Sequence, residues 1–128
     1  MRQARAALLV AAAGLAAPSC SGPANAVPHG TWGGRNAELI VTPVGALARF
    51  RCGATGSIDD TLLLDASSSF DVPGVFVTPL VAVGVQPARY VGSVSGSNMT
   101  LVLSVSGQPG GTFQLRLDDP AVFDVCNL

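Results

Sequence analysis

ARYVGSV (Ala88–Val94), SGSN (Ser95–Asn98) and MTLVLSV (Met99–Val105) read in succession as strand, turn and strand. Met99, Leu101, Leu103 and Val105 alternate with polar or smaller residues, the period of two that gives a strand one buried face. The Ser/Gly/Asn cluster between the two runs supplies the turn, and together they make a hairpin. The same period extends outward on both sides. Towards the C-terminus, Ser106–Gly111 reads as a loop and Thr112–Asp118 (TFQLRLD) as a strand with Phe113, Leu115 and Leu117 on one face. Asp118-Asp119-Pro120 is a turn, and Ala121–Cys126 reads as the last strand.

Towards the N-terminus, Asn36–Thr42 (NAELIVT) is expected to be the first strand, followed by a turn at Pro43-Val44-Gly45. Ala46–Cys52 (ALARFRC) then places Ala48, Phe50 and Cys52 on one face and Arg49 and Arg51 on the other. A turn at Gly53–Gly56 leads to a pair, Asp60–Leu64 and Phe70–Val72, around the polar turn Asp65–Ser69. Val75–Val85 (VFVTPLVAVGV) is apolar on both faces and interrupted by Pro79 and Gly84. It fits either two buried strands around a break or a hydrophobic loop at the rim of a barrel or a partner surface. The first is preferred, because proline belongs between strands rather than inside a central one. No helical period, repeat or linker interrupts this pattern. The fold class expected is all-β: a small antiparallel up-and-down barrel-like meander of about seven to eight strands, closed or nearly so.

Residues 1–26 differ in kind. Arg2 and Arg5 form a basic start, and Ala6–Ala17 is an apolar run of twelve residues, too short to span a bilayer but suited to a signal peptide. Two cuts are possible. Ala24-Asn25-Ala26 is an A-x-A site that would release a soluble, secreted or periplasmic protein starting at Val27, with residues 27–128 as a single β domain. Ala17-Pro18-Ser19-Cys20 resembles a bacterial lipobox, which implies cleavage after residue 19, lipidation of Cys20 and a membrane-anchored lipoprotein. Both stay open, with the soluble form ranked first. On either, Cys52 and Cys126 remain as an even pair in an oxidising compartment, and a disulfide between them is expected. Closing that loop would contribute about 4 kcal/mol in the chain-entropy treatment.

The chain has seven arginines and no lysine, and five of those arginines face eight carboxylates after the leader, leaving −3. A mildly acidic domain without a basic stripe is a poor partner for nucleic acid or for an anionic membrane surface. Catalytic constellations are equally sparse. The sole histidine, His29, precedes the strands, whereas a triad needs an oriented and partly buried imidazole. Asp59-Asp60 and Asp118-Asp119 are neighbours in turns, where solubility and turn chemistry explain them better than paired acid–base work. Two isolated cysteines and one histidine offer no metal-ligand spacing. Gly107–Gly111 has no following helix to hold a phosphate. Arg49 and Arg51 could grip an anion with Arg35 and Arg89, but exposed arginines are more often solvated and paired. No catalytic, cofactor or metal residue is therefore assigned, and no cofactor is expected.

His29-Gly30-Thr31-Trp32-Gly33-Gly34 holds the only tryptophan and opens the strand-rich part. Gly30-Thr31-Trp32 resembles the Gly-x-Trp start of the calycins, the lipocalin and avidin-like barrels. The resemblance implies an up-and-down barrel in which Trp32 is a structural plug at the closed end, under an arginine from a late strand, here Arg116. It carries over no ligand residue. The layout from Gly30–Gly34 through Cys52, Ala88-Arg89-Tyr90 and Met99-Thr100-Leu101 to Cys126 is also similar to a group of small exported bacterial proteins of unknown function. The reading that follows is an exported, non-enzymatic, monomeric barrel-like domain that binds a small apolar ligand. The alternative is an envelope structural or inhibitory protein that works through loop contacts with other proteins. Membrane contact would arise only through a lipidated Cys20.

Overall fold

The computed structural model describes residues 25–80 and 83–126. The leader up to residue 24, and Cys20 with it, lie outside the described residues. Eight antiparallel strands close into one barrel in simple chain order: β1 Gly30–Gly34, β2 Ala37–Thr42, β3 Gly45–Phe50, β4 Thr55–Ile58, β5 Ser69–Val77, β6 Val85–Ser95, β7 Asn98–Val105 and β8 Gln108–Leu117. The ring closes where Trp32, Gly33 and Gly34 of β1 pair with Leu117, Arg116 and Leu115 of β8. The all-β, up-and-down expectation is met.

Alternation along each strand fills the interior. Leu39, Val41, Ala46, Ala48, Phe70, Tyr90, Met99, Leu101, Leu103 and Leu115 all point into one cluster with Trp32. Small residues make room for large ones. The Tyr90 ring occupies the space over Gly56, where a Cβ would fall against its hydroxyl, and that hydroxyl donates to the Val75 carbonyl at 2.7 Å. Desolvation pushes the phenol up to about 12. No polar or charged residue is buried among the described residues.

The two ends differ. One end is sealed by Asn25–Pro28 and by the long connection between β4 and β5. The Val27 N–H donates to the Leu62 carbonyl, the Leu64 N–H donates to Asn25, and Val27 and Leu62 are fully buried. The Trp32 indole N–H donates to the Pro28 carbonyl at 3.0 Å, tying the core to this cap. Asp65 Oδ1 accepts from the N–H groups of Ser67 and Ser69, so the polar turn forms as its composition suggests. The other end carries the connections at 35–36, 51–54, 78–84 and 106–107 and stays open.

Several elements depart from the sequence reading. Asn36–Thr42 is not the first strand, because the glycine-rich Gly30–Gly34 pairs with both β2 and β8. With glycine at three of its five positions, it carries too few side chains to show a period. Cys52 shares no strand face with Ala48 and Phe50: β3 stops at Phe50, and Arg51–Gly53 forms a 3-10 turn with Cys52 at φ 66°. The expected turn at Gly53–Gly56 is shorter, since Thr55–Ile58 is β4. Asp60–Leu64 makes only an isolated bridge, Leu63 to Ala26, and crosses the closed end instead of pairing with Phe70–Val72. Gln108–Gly111 belongs to β8 rather than to a loop. Ala121–Cys126 is a strap rather than a strand, with one bridge, Val122 to Arg35. Within Val75–Val85, β5 continues to Val77 and β6 resumes at Val85, and the described residues between them lie outside the strands at the open end, with Pro79, Leu80 and Val83 exposed rather than buried.

Candidate functional site: the open mouth of the barrel

Three phenylalanines meet at the open end because three strands deliver an inward position there. Phe50 ends β3, Phe76 lies near the end of β5, and Phe113 lies at the middle of β8. The ring of Phe50 stands 5.5 Å from that of Phe76 and 5.5 Å from that of Phe113, both tilted near 45°. Such spacing suits attractive aromatic packing. Phe50 is buried by its neighbours, while Phe76 and Phe113 remain half-buried and face the opening. With Ala54 and Leu103 they line a cavity of about 320 Å³. Its rim is polar: Asn36, Arg51, Thr112 and the backbone of Gly110-Gly111.

Two features of the sheet keep this mouth wide. β1 ends at Gly34 opposite Leu115, so residues 108–113 of β8 have no β1 neighbour. Across β7, Leu103 pairs with Gly111 and Ser104 with Pro109, which leaves Gly110 as an extra, bulged residue. Beside the mouth stands the 78–84 connection, with Leu80 65 % and Val83 45 % exposed, and Val85, the first residue of β6, is 66 % exposed. At its base the Thr78 hydroxyl oxygen is buried without a hydrogen-bond partner among the described residues.

The strap fixes the opposite lip. Asp119–Ala121 passes over the outer face of Gly33, where a Cβ would come within 2.2 Å of the Asp119 carbonyl oxygen. Gly33 is therefore needed for the close approach of two backbones. Asp124 then bridges to Arg35 at 3.1 Å and accepts from the Asn36 amide at 2.9 Å, while the Asn36 Oδ1 accepts from the Asp124 N–H. The hydrogen bond from Arg35, then that from Asn36, holds the Asp124 carboxyl below its usual range. Phe123 lies under the Arg49 guanidinium at 5.6 Å, and Arg49 pairs with Glu38. Arg51 donates to the Val125 carbonyl at 2.9 Å, and Cys126 is bonded to Cys52, with Cα atoms 5.6 Å apart.

The expected disulfide is thus present. Arg49 and Arg51 do not act as a pair, since one lies on the outer wall over Phe123 of the strap and the other at the mouth. Arg116 does not cover Trp32: it points outward to Asn98 and Asp119, on the face opposite Leu115 and Leu117. Trp32 itself is fully buried. His29, Asp59, Asp60, Asp118 and Asp119 are exposed, and no group of three or more metal-ligating residues occurs among the described residues. The aromatic mouth is the feature that sequence reasoning missed. Each phenylalanine is legible as an inward position, but their meeting depends on strand register. No family model, curated protein or solved structure matches this chain.

Proposed function

We propose that this chain is an exported, non-enzymatic binding domain that seats a small apolar molecule in its open mouth. The carrying observation is the group Phe50, Phe76 and Phe113, facing the opening above an interior already filled by Trp32, Tyr90 and Leu101. A volume of about 320 Å³ lies at the lower end of small-molecule sites, roughly 300–1,000 Å³. The leader-like residues 1–26 and the Cys52–Cys126 disulfide support export. The exposed placement of His29 and of both aspartate pairs supports a binding rather than a catalytic role.

Native mass spectrometry of the protein from its own cell envelope, followed by denaturation, tests this reading. A small-molecule mass released on denaturation is expected. An unliganded protein whose Phe50, Phe76 and Phe113 resonances ignore added 1-octanol would overturn it. One observation favours a second reading, contact with a partner protein: the exposed Leu80 and Val83 on the adjoining connection and Val85 at the start of β6. In that case Leu80→Ser with Val83→Ser abolishes partner capture and leaves the mouth's response to octanol intact.

A further inference from the structure

Five arginines lie among the described residues, and four are neutralised on the outer wall. Arg35 meets Asp124, Arg49 meets Glu38, Arg89 meets Asp71 and Arg116 meets Asp119, at 3.1, 2.8, 2.6 and 3.8 Å. Arg51 differs. Among the described residues its hydrogen-bond partner is a neutral carbonyl, that of Val125. The nearby Asp124 feels its charge, yet the Asp124 carboxylate is engaged by Arg35 and Asn36. Arg51 is also the arginine that lines the aromatic cavity.

A guanidinium carries five N–H donors in a planar fork, so one bond to Val125 leaves donors for an anion. Backbone geometry holds it in place. Arg51 opens the 3-10 turn that ends at Gly53, and the neighbouring Cys52 is clamped to the strap. An apolar surface lined by three phenyl rings, with one cation at its edge that no carboxylate among the described residues pairs, matches an amphiphile of the opposite design.

We propose that the mouth is a site for a monoanionic amphiphile, its apolar chain laid on Phe50, Phe76 and Phe113 and its carboxylate on the Arg51 guanidinium. This rests on the reading of the mouth as a binding site and adds the chemical class of the ligand. Arg51 supplies selectivity for the charged head, and the rings supply contact area. An alcohol of the same chain length keeps the second interaction and forfeits the charge-assisted hydrogen bonds of the first.

The test uses the disulfide-bonded protein with sodium octanoate and 1-octanol as probes, followed by amide chemical shifts. Octanoate is expected to shift Arg51, Ala54 and Gly111–Phe113 saturably and to bind roughly tenfold more tightly than octanol. Arg51→Gln should bring octanoate down to the level of octanol, and Arg51→Lys should retain part of the difference. Unchanged melting of both variants shows that the strap is still seated. Equal binding of the two probes by the unaltered protein would overturn the carboxylate assignment while leaving the apolar mouth standing. A preference for octanoate that survives Arg51→Gln would overturn the role of Arg51. Failure of both probes to bind would overturn the mouth as a small-molecule site altogether.

Discussion

Tyr90 shows how one side chain sets the interior of this barrel. Its ring is accommodated by Gly56, and its hydroxyl reaches the Val75 carbonyl on the neighbouring strand. Burial raises its pKa from 10.0 to about 12, so between those values the native state holds a proton that the unfolded chain has lost. Stability is therefore fully present below pH 10 and declines as pH rises towards 12. Because Tyr90 is the only tyrosine, phenolate absorbance reports it alone. A native titration near 12 is expected, along with a Tyr90→Phe variant whose stability is flat in that window and about 1 kcal/mol lower at neutral pH. A midpoint near 10 would show that the ring is solvated. Trp32 is the sole tryptophan, and Trp32→Ala should cost about 3–5 kcal/mol in denaturant melts. A near-neutral substitution would place the indole outside the core. At Thr78 the sign reverses. Its buried hydroxyl lacks a partner among the described residues, so Thr78→Val should raise stability by about 1 kcal/mol, read from the urea midpoint.

Among the elements, the C-terminal strap behaves least like its sequence. Ala121–Cys126 alternates as a strand would, but β1 and β8 pair with each other and leave no edge for a ninth strand. The segment lies outside instead, over Gly33, and is held by Asp124, Asn36 and the disulfide. The β6–β7 hairpin was legible because side-chain alternation and turn chemistry are local. The strap, the connection across the closed end and the mouth were not, because each follows from how the ring closes. Asp60–Leu64 illustrates the point: its leucines look strand-like, yet Leu62 is buried as a cap while Leu63 is exposed. The disulfide spans 74 residues and stabilises the fold by about 4 kcal/mol in the chain-entropy treatment. Reduction should therefore lower the melting temperature and speed hydrogen exchange at the Asn36 and Val122 amides, whose backbone bonds join the strap to the barrel. A melt unchanged in reductant would show that the strap's noncovalent contacts are sufficient.

At the scale of the whole molecule, closure joins residues 32–34 to residues 115–117, so the barrel is complete only when its two termini meet. The N-terminal approach to β1 is part of that closure. The Asn25 carbonyl accepts from the Leu64 N–H at 2.7 Å, the Asn25 amide donates to the Leu64 carbonyl at 3.0 Å, and Ala26 bridges to Leu63. A cut between Ala26 and Val27 would remove both Asn25 bonds. It would also place a charged α-amino group on the nitrogen that donates to the Leu62 carbonyl, beside a fully buried side chain. A cut before Cys20 would leave this cap whole. A chain beginning at Val27 should therefore be less stable by about 1–3 kcal/mol than one beginning at Ser21, measured by urea denaturation with the disulfide intact. Equal stabilities would mean that Asn25 and Ala26 lie on the cap without supporting it, and the A-x-A cut would then cost the fold nothing. A clear difference would favour retention of the upstream residues. The chain would then leave the barrel at its closed end, opposite Phe50, Phe76 and Phe113, so that anything attached to the N-terminus would leave the mouth facing away and open to its ligand.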